Sequence, residues 1–287
     1  MCVVCWWDSD IESSYSHLRM RVVGILLVRN EEGFVESALR NTLDFCDEFI
    51  AVDNGSTDGT VHALERLRDQ YPGKIRLHHA LHPRESHDLV AGLAGTDTWV
   101  FGVDGDEIYD PDGLVRLRKR LASGEFDRDW CIFGNVLNVR QLDLGLKIAQ
   151  GHLAPPCRSM TKLYNFSAIE AWHGPCLERL HGGRVVFKEG YHEKMRRNLH
   201  ESVSWDEADL RCLHLCFISR SSTETTASAP RKNIMDVHNR SITKTILQIR
   251  DRLLGRPPVD WKEQRYGRGD IVEKSIEPFF PIACRPN

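Results

Sequence analysis

Asp104, Asp106 and Glu107 place three carboxylates within four residues, directly after the apolar run Trp99-Val100-Phe101-Gly102-Val103. Like charges that close raise one another's pKa unless they share a cation. Oxygen ligands of this kind suit Mg²⁺ or Mn²⁺, which take a few carboxylates and complete their shell with phosphates and water. The apolar run reads as a buried strand, and open α/β sheets bind ligands outside the carboxyl ends of their strands. The stretch therefore points to a metal-diphosphate site at a strand tip, although an Asp-Gly-Asp triplet also occurs in ordinary acidic turns. A second strand exit, Val52-Asp53-Asn54-Gly55-Ser56-Thr57-Asp58-Gly59-Thr60, is more specific. Asp53 can accept hydrogen bonds from a base N–H or a ribose hydroxyl, and Thr57 or Asp58 can cap the helix that follows.

The elements that must position these groups follow from periodicity. Val22–Val28, Phe49–Val52 and Ile75–His78 read as strands, and the run before Asp104 is a fourth. Helical spacing over Phe34–Leu43, Thr60–Tyr71 and Ser86–Leu93 falls between them, and a further helix follows Pro111. Strand and helix alternating at this pace predict a Rossmann-like, mostly parallel sheet flanked by helices, with right-handed crossovers. Later strand signals lie at Trp130–Phe133, Val136–Val139, Thr161–Tyr164, Arg184–Phe187 and Leu213–Ser219. The region 221–230 is rich in Ser, Thr and Ala and reads as a linker, and 234–254 has a helical pattern.

Three of these stretches, Leu27-Val28-Arg29-Asn30-Glu31-Glu32, Phe49 to Thr60 and Val103 to Ile108, together resemble the family 2 glycosyltransferases of GT-A fold, in order and separation as well as in residue type. The resemblance spans about residues 21–120. Val28-Arg29 stands where the family often has Thr-Tyr, and Asn54 replaces the more usual second Asp. The resemblance implies transfer of a sugar from a nucleotide-diphosphate donor with Mn²⁺ or Mg²⁺. On it, Val28, Asn30, Asp53 and Arg84 bind the donor nucleotide, Asp104 lies near ribose and metal, and Asp106 ligates the metal. His214, in Cys212-Leu213-His214-Leu215-Cys216, is placed as a third metal ligand. A core histidine or a zinc site built with Cys212 and Cys216 are the alternatives.

The hydroxyl of the sugar acceptor needs a base. Lys162-Leu163-Tyr164 and Leu177-Glu178-Arg179-Leu180 look similar to segments of a family subset whose Glu sits at the sugar acceptor, so Glu178 is the expected base. Leu177 stands where that subset has His, and His173 is the candidate to replace it. Glu193 is the rival base. Trp261, Arg265, Tyr266, Gly267 and Arg268 have the aromatic and basic character of a lid.

Composition sets outer bounds. The 287 residues carry a formal charge of −3 with 41% hydrophobic and 28% charged residues, which fits an ordinary globular chain and gives no general basic field for nucleic acid. Nine cysteines, several within apolar runs, fit reduced thiols rather than a disulfide framework. With no signal-peptide pattern and no spanning run, the expected location is cytoplasmic, and peripheral membrane contact through the basic 234–254 helix remains open. The expected division is a disordered extension over 1–19, a nucleotide-sugar-binding half over 20–120, an acceptor-binding half over 121–220, and a linker with a helical C-terminal appendage over 221–287. The sugar acceptor is open among glycan, lipid-linked sugar, peptide and modified nucleic acid. A sugar-nucleotide nucleotidyltransferase is a rival reading, but it would want a Gly-rich, basic phosphate loop where Arg29-Asn30-Glu31-Glu32-Gly33 is acidic. A non-catalytic nucleotide- or metal-binding module is another.

Overall fold

The computed structural model describes residues 20–223 and 261–281. The expected extension over 1–19, most of the linker and the helix over 234–254 lie outside the described residues. In chain order the elements are β1 (Arg21–Val28), α1 (Val35–Arg40), β2 (Glu48–Asp53), α2 (Thr60–Gln70), β3 (Ile75–His79), α3 (Glu85–Ala91), β4 (Thr98–Asp104), β5 (Glu107–Tyr109) and α4 (Pro111–Ala122). The second part holds β6 (Cys131–Phe133), β7 (Asn135–Asp143), β8 (Ile148–Ala154), β9 (Lys162–Asn165), β10 (Ile169–Glu178), β11 (His181–Phe187), β12 (Arg196–Asn198), α5 (Leu199–Ser202) and β13 (Arg211–His214). After the gap come α6 (Trp261–Tyr266) and β14 (Ile271–Ser275).

Seven strands form the main sheet in the order β12-β6-β9-β4-β1-β2-β3. The neighbours β4-β1-β2-β3 are parallel, and β9 runs against both β4 and β6. This is the mostly parallel α/β sheet flanked by helices expected from the sequence. The side chains of β1 show why a continuous apolar run is needed: Val22, Leu26 and Val28 pack on one face of the sheet, and Val23, Ile25 and Leu27 on the other. α4 begins where it does because Asp110 accepts the Gly113 N–H at 3.1 Å and Pro111 occupies the first turn.

A second sheet, β14-β8-β7-β13-β5, starts at the acidic stretch itself, since β5 follows Asp106 directly and pairs with β13. β10 and β11 make a separate hairpin. Two expectations are corrected. The strand predicted to run to Ser219 ends at His214, where the Leu215 N–H turns to the Asp106 carbonyl at 2.8 Å. The C-terminal appendage is not simply helical: residues 271–275 return as an edge strand on β8, exposed at alternate positions, which leaves too weak an apolar signature to read. No described helix is long and apolar enough to cross a membrane.

Candidate active site

Parallel pairing brings the exits of β1, β2 and β4 together, with Val28 beside Asp53 and Leu27 beside Asp104. The acidic turn after β4 lies tight on the β1 exit. A Cβ at Gly105 would meet Glu31 Cγ and Val28 Cγ1, each at 2.8 Å, so only glycine fits there. A cleft of about 720 Å³ opens above this turn, and Glu31, Asp104, Asp106, Glu178, His181 and His214 are in its lining.

Asp104 is held by cations. One oxygen accepts from Lys162 Nζ at 2.7 Å and the other from the buried Arg179 guanidinium, which also donates to the Val103 carbonyl at 2.6 Å. Burial alone would raise its pKa, but Arg179 and Lys162 outweigh that and hold it well below the usual carboxylate range. Placed as a metal ligand from the sequence, Asp104 is here paired with two protein cations and still lines the cleft. Glu107 is fully buried and accepts the Asp104 N–H at 3.1 Å and the Tyr109 hydroxyl at 3.0 Å. Burial, with the neighbouring Asp104 charge, pushes its pKa up to about 8.

Asp106 and His214 form a different pair. His214 sits at the end of β13, 4% exposed, and its Nδ1 lies 2.8 Å from the Asn138 amide oxygen. An amide oxygen only accepts, so Nδ1 carries the proton and Nε2 presents a lone pair. That lone pair stands 3.6 Å from Asp106 Oδ2. Burial lowers the His214 pKa, keeping the ring neutral. Two electron-pair donors at this spacing call for a cation, which here is the guanidinium of Arg220, bonded to Asp106 and 3.3 Å from Glu31. With about 2.1 Å to each donor, a divalent ion also fits the pair. Among the described residues no group of three or more His, Cys, Asp or Glu could hold a metal, and a metal at this pair would need further ligands such as phosphate and water. The same observation removes the zinc site of Cys212, His214 and Cys216.

Glu178 ends β10 on the opposite wall. Its neighbour Arg179 donates a backbone N–H to Ser86 Oγ at 2.9 Å, and the His87 ring bridges the Arg179 and Trp172 carbonyls at 2.8 and 3.0 Å, so α3 fixes the hairpin. Glu178 Oε1 lies 3.0 Å from His181 Nδ1 and 3.7 Å from Arg179. Burial opposes its ionisation, but Arg179, His181 and Lys162 prevail and bring its pKa down to about 2. The histidine beside Glu178 is thus His181; His173, the candidate from the sequence, is exposed. Glu193 is 76% exposed, pairs with Arg196 and is absent from the cleft lining.

The remaining sequence candidates lie outside this cleft. Asn30 adopts a left-handed backbone (φ 55°), and its amide oxygen accepts the Thr57 N–H at 2.7 Å. Asp53 is 3% exposed and accepts from the Gly55 and Ser56 backbone at 3.1 and 3.2 Å. Val28, Asn30 and Asp53 therefore gather at the joined exits of β1 and β2, adjoining the cleft through Leu27 and Glu31. Arg84 is apart from them, exposed, with its guanidinium on the His82 ring at 3.1 Å. Sequence reasoning missed Glu31, Lys162, Arg179, His181 and Arg220 as site residues. Glu31 and Lys162 stood within the quoted motifs and Arg179 beside Glu178, whereas nothing in the sequence marked Arg220. From the C-terminal segment Trp261, Lys262, Arg265 and Tyr266 line the cleft, and the Tyr266 ring meets His214 edge-on at 5.0 Å.

The family model "Glycosyl transferase family 2" matches residues 25–156. No curated protein matches the chain. Among solved structures, glucosyl-3-phosphoglycerate synthase from Mycobacterium tuberculosis with Mn²⁺, uridine diphosphate and glucosyl-3-phosphoglycerate shares 22% identity over 48% of this chain and 50% of its own, at a TM-score of 0.29. The same enzyme with Mn²⁺, UDP-glucose and glycerol 3-phosphate gives 19%, 58%, 64% and 0.33, and with Mg²⁺ and uridine diphosphate 22%, 47%, 48% and 0.28. The chain thus spans about half to just under two thirds of these structures' length. The stretch that matches glycosyl transferase family 2, residues 25–156, holds the exits of β1, β2 and β4.

Proposed function

We propose that the chain is a glycosyltransferase that moves a sugar from a nucleotide-diphosphate donor to a hydroxyl-bearing acceptor, with a divalent metal and with inversion. The observation that carries this reading is the Asp106–His214 pair, a carboxylate and an imidazole lone pair converging 3.6 Å apart beneath an open cleft. Asp106 and His214 would hold Mn²⁺ or Mg²⁺, the ions found with the solved structures above. Bound there, the ion would stabilise the charge that develops on the departing diphosphate. Asn30 and Asp53 would hold the nucleoside at the β1–β2 exit, with Val28 beneath them. Asp104, locked by Lys162 and Arg179, keeps the turn that aims Asp106 in place.

The proton of the attacking hydroxyl goes to the wall opposite. Glu178 is ionised at any working pH and accepts it in the reading drawn from the sequence. The 3.0 Å contact to His181 favours a second arrangement, in which Glu178 holds the Nδ1 proton of His181 and His181 Nε2 is the base. A carboxylate brought down to about 2 has little driving force as a base near neutrality. Substitution separates the two: His181→Asn abolishes turnover if His181 is the base and leaves most of it if Glu178 is. The six described cysteines are unpaired and buried, which supports the cytoplasmic reading. In the test of the whole reading, sugar-nucleotide turnover with Mn²⁺ disappears in Asp106→Ala. Intact turnover in that variant defeats it, and nucleotide binding without turnover by the wild type would favour a binding module.

A further inference from the structure

The cleft carries more positive charge than its carboxylates take up. Glu31 and Asp106 are met by Arg220, Asp104 by Lys162 and Arg179, and Glu178 by His181. Arg158 and Arg265 also line the cleft, both are exposed, and neither has a carboxylate partner among the described residues. Their positions are built. Lys162 lies opposite Gly102 on the antiparallel β4, so the residues before it, including Arg158, run beyond the carboxyl end of β4 and past the acidic turn. Arg265 is on α6. The residue next to each is bonded to the other segment: Cys157 Sγ donates to the Tyr266 carbonyl at 3.1 Å and accepts the Arg268 N–H at 3.4 Å. Two unpaired guanidinium groups are thereby carried into one cleft on latched segments. Low-dielectric walls strengthen the field of such a pair, and the planar fork of arginine matches phosphate or carboxylate.

We propose that the sugar acceptor is a hydroxylated molecule bearing a phosphate or carboxylate group, and that Arg158 and Arg265 seat that anion. This rests on the glycosyltransferase reading above. The test is isothermal calorimetry with inorganic phosphate and with acetate as probes, on protein saturated with Mn²⁺ and with whichever nucleoside diphosphate raises its melting temperature. One anion site additional to the nucleotide is expected. Arg158→Ala and Arg265→Ala should each weaken it at least about tenfold, with nucleotide affinity changed less than about twofold, while Arg128→Ala, at an exposed loop position off the cleft, should leave it intact. Unchanged phosphate and acetate binding in Arg158→Ala overturns the proposal. So does an equal loss of nucleotide affinity, which would assign the arginines to the donor diphosphate. Failure of the underlying reading looks different: no nucleoside diphosphate then binds the wild type with Mn²⁺.

Discussion

Arg179→Met removes the guanidinium that is 1% exposed and bonded to both the Val103 carbonyl and Asp104. Asp104 keeps only Lys162, and Glu178 loses the positive charge 3.7 Å away. Stranding one partner of a buried ion pair costs about 3–5 kcal/mol. Asp104 retains Lys162 and its side chain is 24% exposed, which places the expected loss at the low end, about 3 kcal/mol. At about 2–4 °C per kcal/mol for a domain of this size, the melting temperature by calorimetry should fall roughly 6–12 °C. Adding Asp104→Asn should restore part of it, because the stranded charge is gone. The pH dependence follows with a definite sign. Asp104 and Glu178 are held below their ordinary values, so their contribution is complete above about pH 4.5 and is lost as pH falls toward 2. In Arg179→Met that acid limb should move upward. A single variant that melts within about 2 °C of the wild type, or a double variant no more stable than the single, would refute the reasoning.

Glu107 titrates in the opposite sense. With its folded pKa pushed up to about 8 from an ordinary 4.5, the stability tied to its proton is complete below pH 4.5 and lost as pH rises through 8. In metal-free protein Glu107→Gln should therefore flatten the fall in unfolding free energy between about pH 5 and 8, and identical slopes in urea titrations would contradict this. Gly105→Ala should cost about 1–3 kcal/mol, because its methyl forces the acidic turn away from Val28 and Glu31. Urea melts measure that loss, and Mn²⁺ affinity should fall with it as Asp106 moves. His214→Ala should weaken Mn²⁺ binding while Cys212→Ala and Cys216→Ala leave it unchanged, read by metal titration.

Much of residues 20–120 was legible because the strands there are buried on both faces and therefore apolar without interruption, as in β1 and β4. β8, β10 and β14 escaped notice because they are partly exposed or carry Gly, Pro and polar residues. Of the candidate site, the convergence of Asp106 and His214 agrees with the reading drawn from the sequence, but the ion pairs of Asp104 were not foreseen. Its partners lie 58 and 75 residues away, and no local pattern reports which cation a carboxylate will meet once β9 and β10 fold over β4. His181 was overlooked for a similar reason: β10 and β11 turn back between Glu178 and His181, so a histidine three residues after the glutamate faces it directly.

The reading stands on a cation shared by Asp106, His214 and a diphosphate. Mn²⁺ electron paramagnetic resonance, recorded with and without a nucleoside diphosphate on wild type and Asp106→Asn, tests it directly. The wild type should bind one Mn²⁺ per chain, more tightly with the nucleotide, and Asp106→Asn should lose that site. Equal Mn²⁺ occupancy in the two proteins, or nucleotide affinity indifferent to the metal, would contradict it.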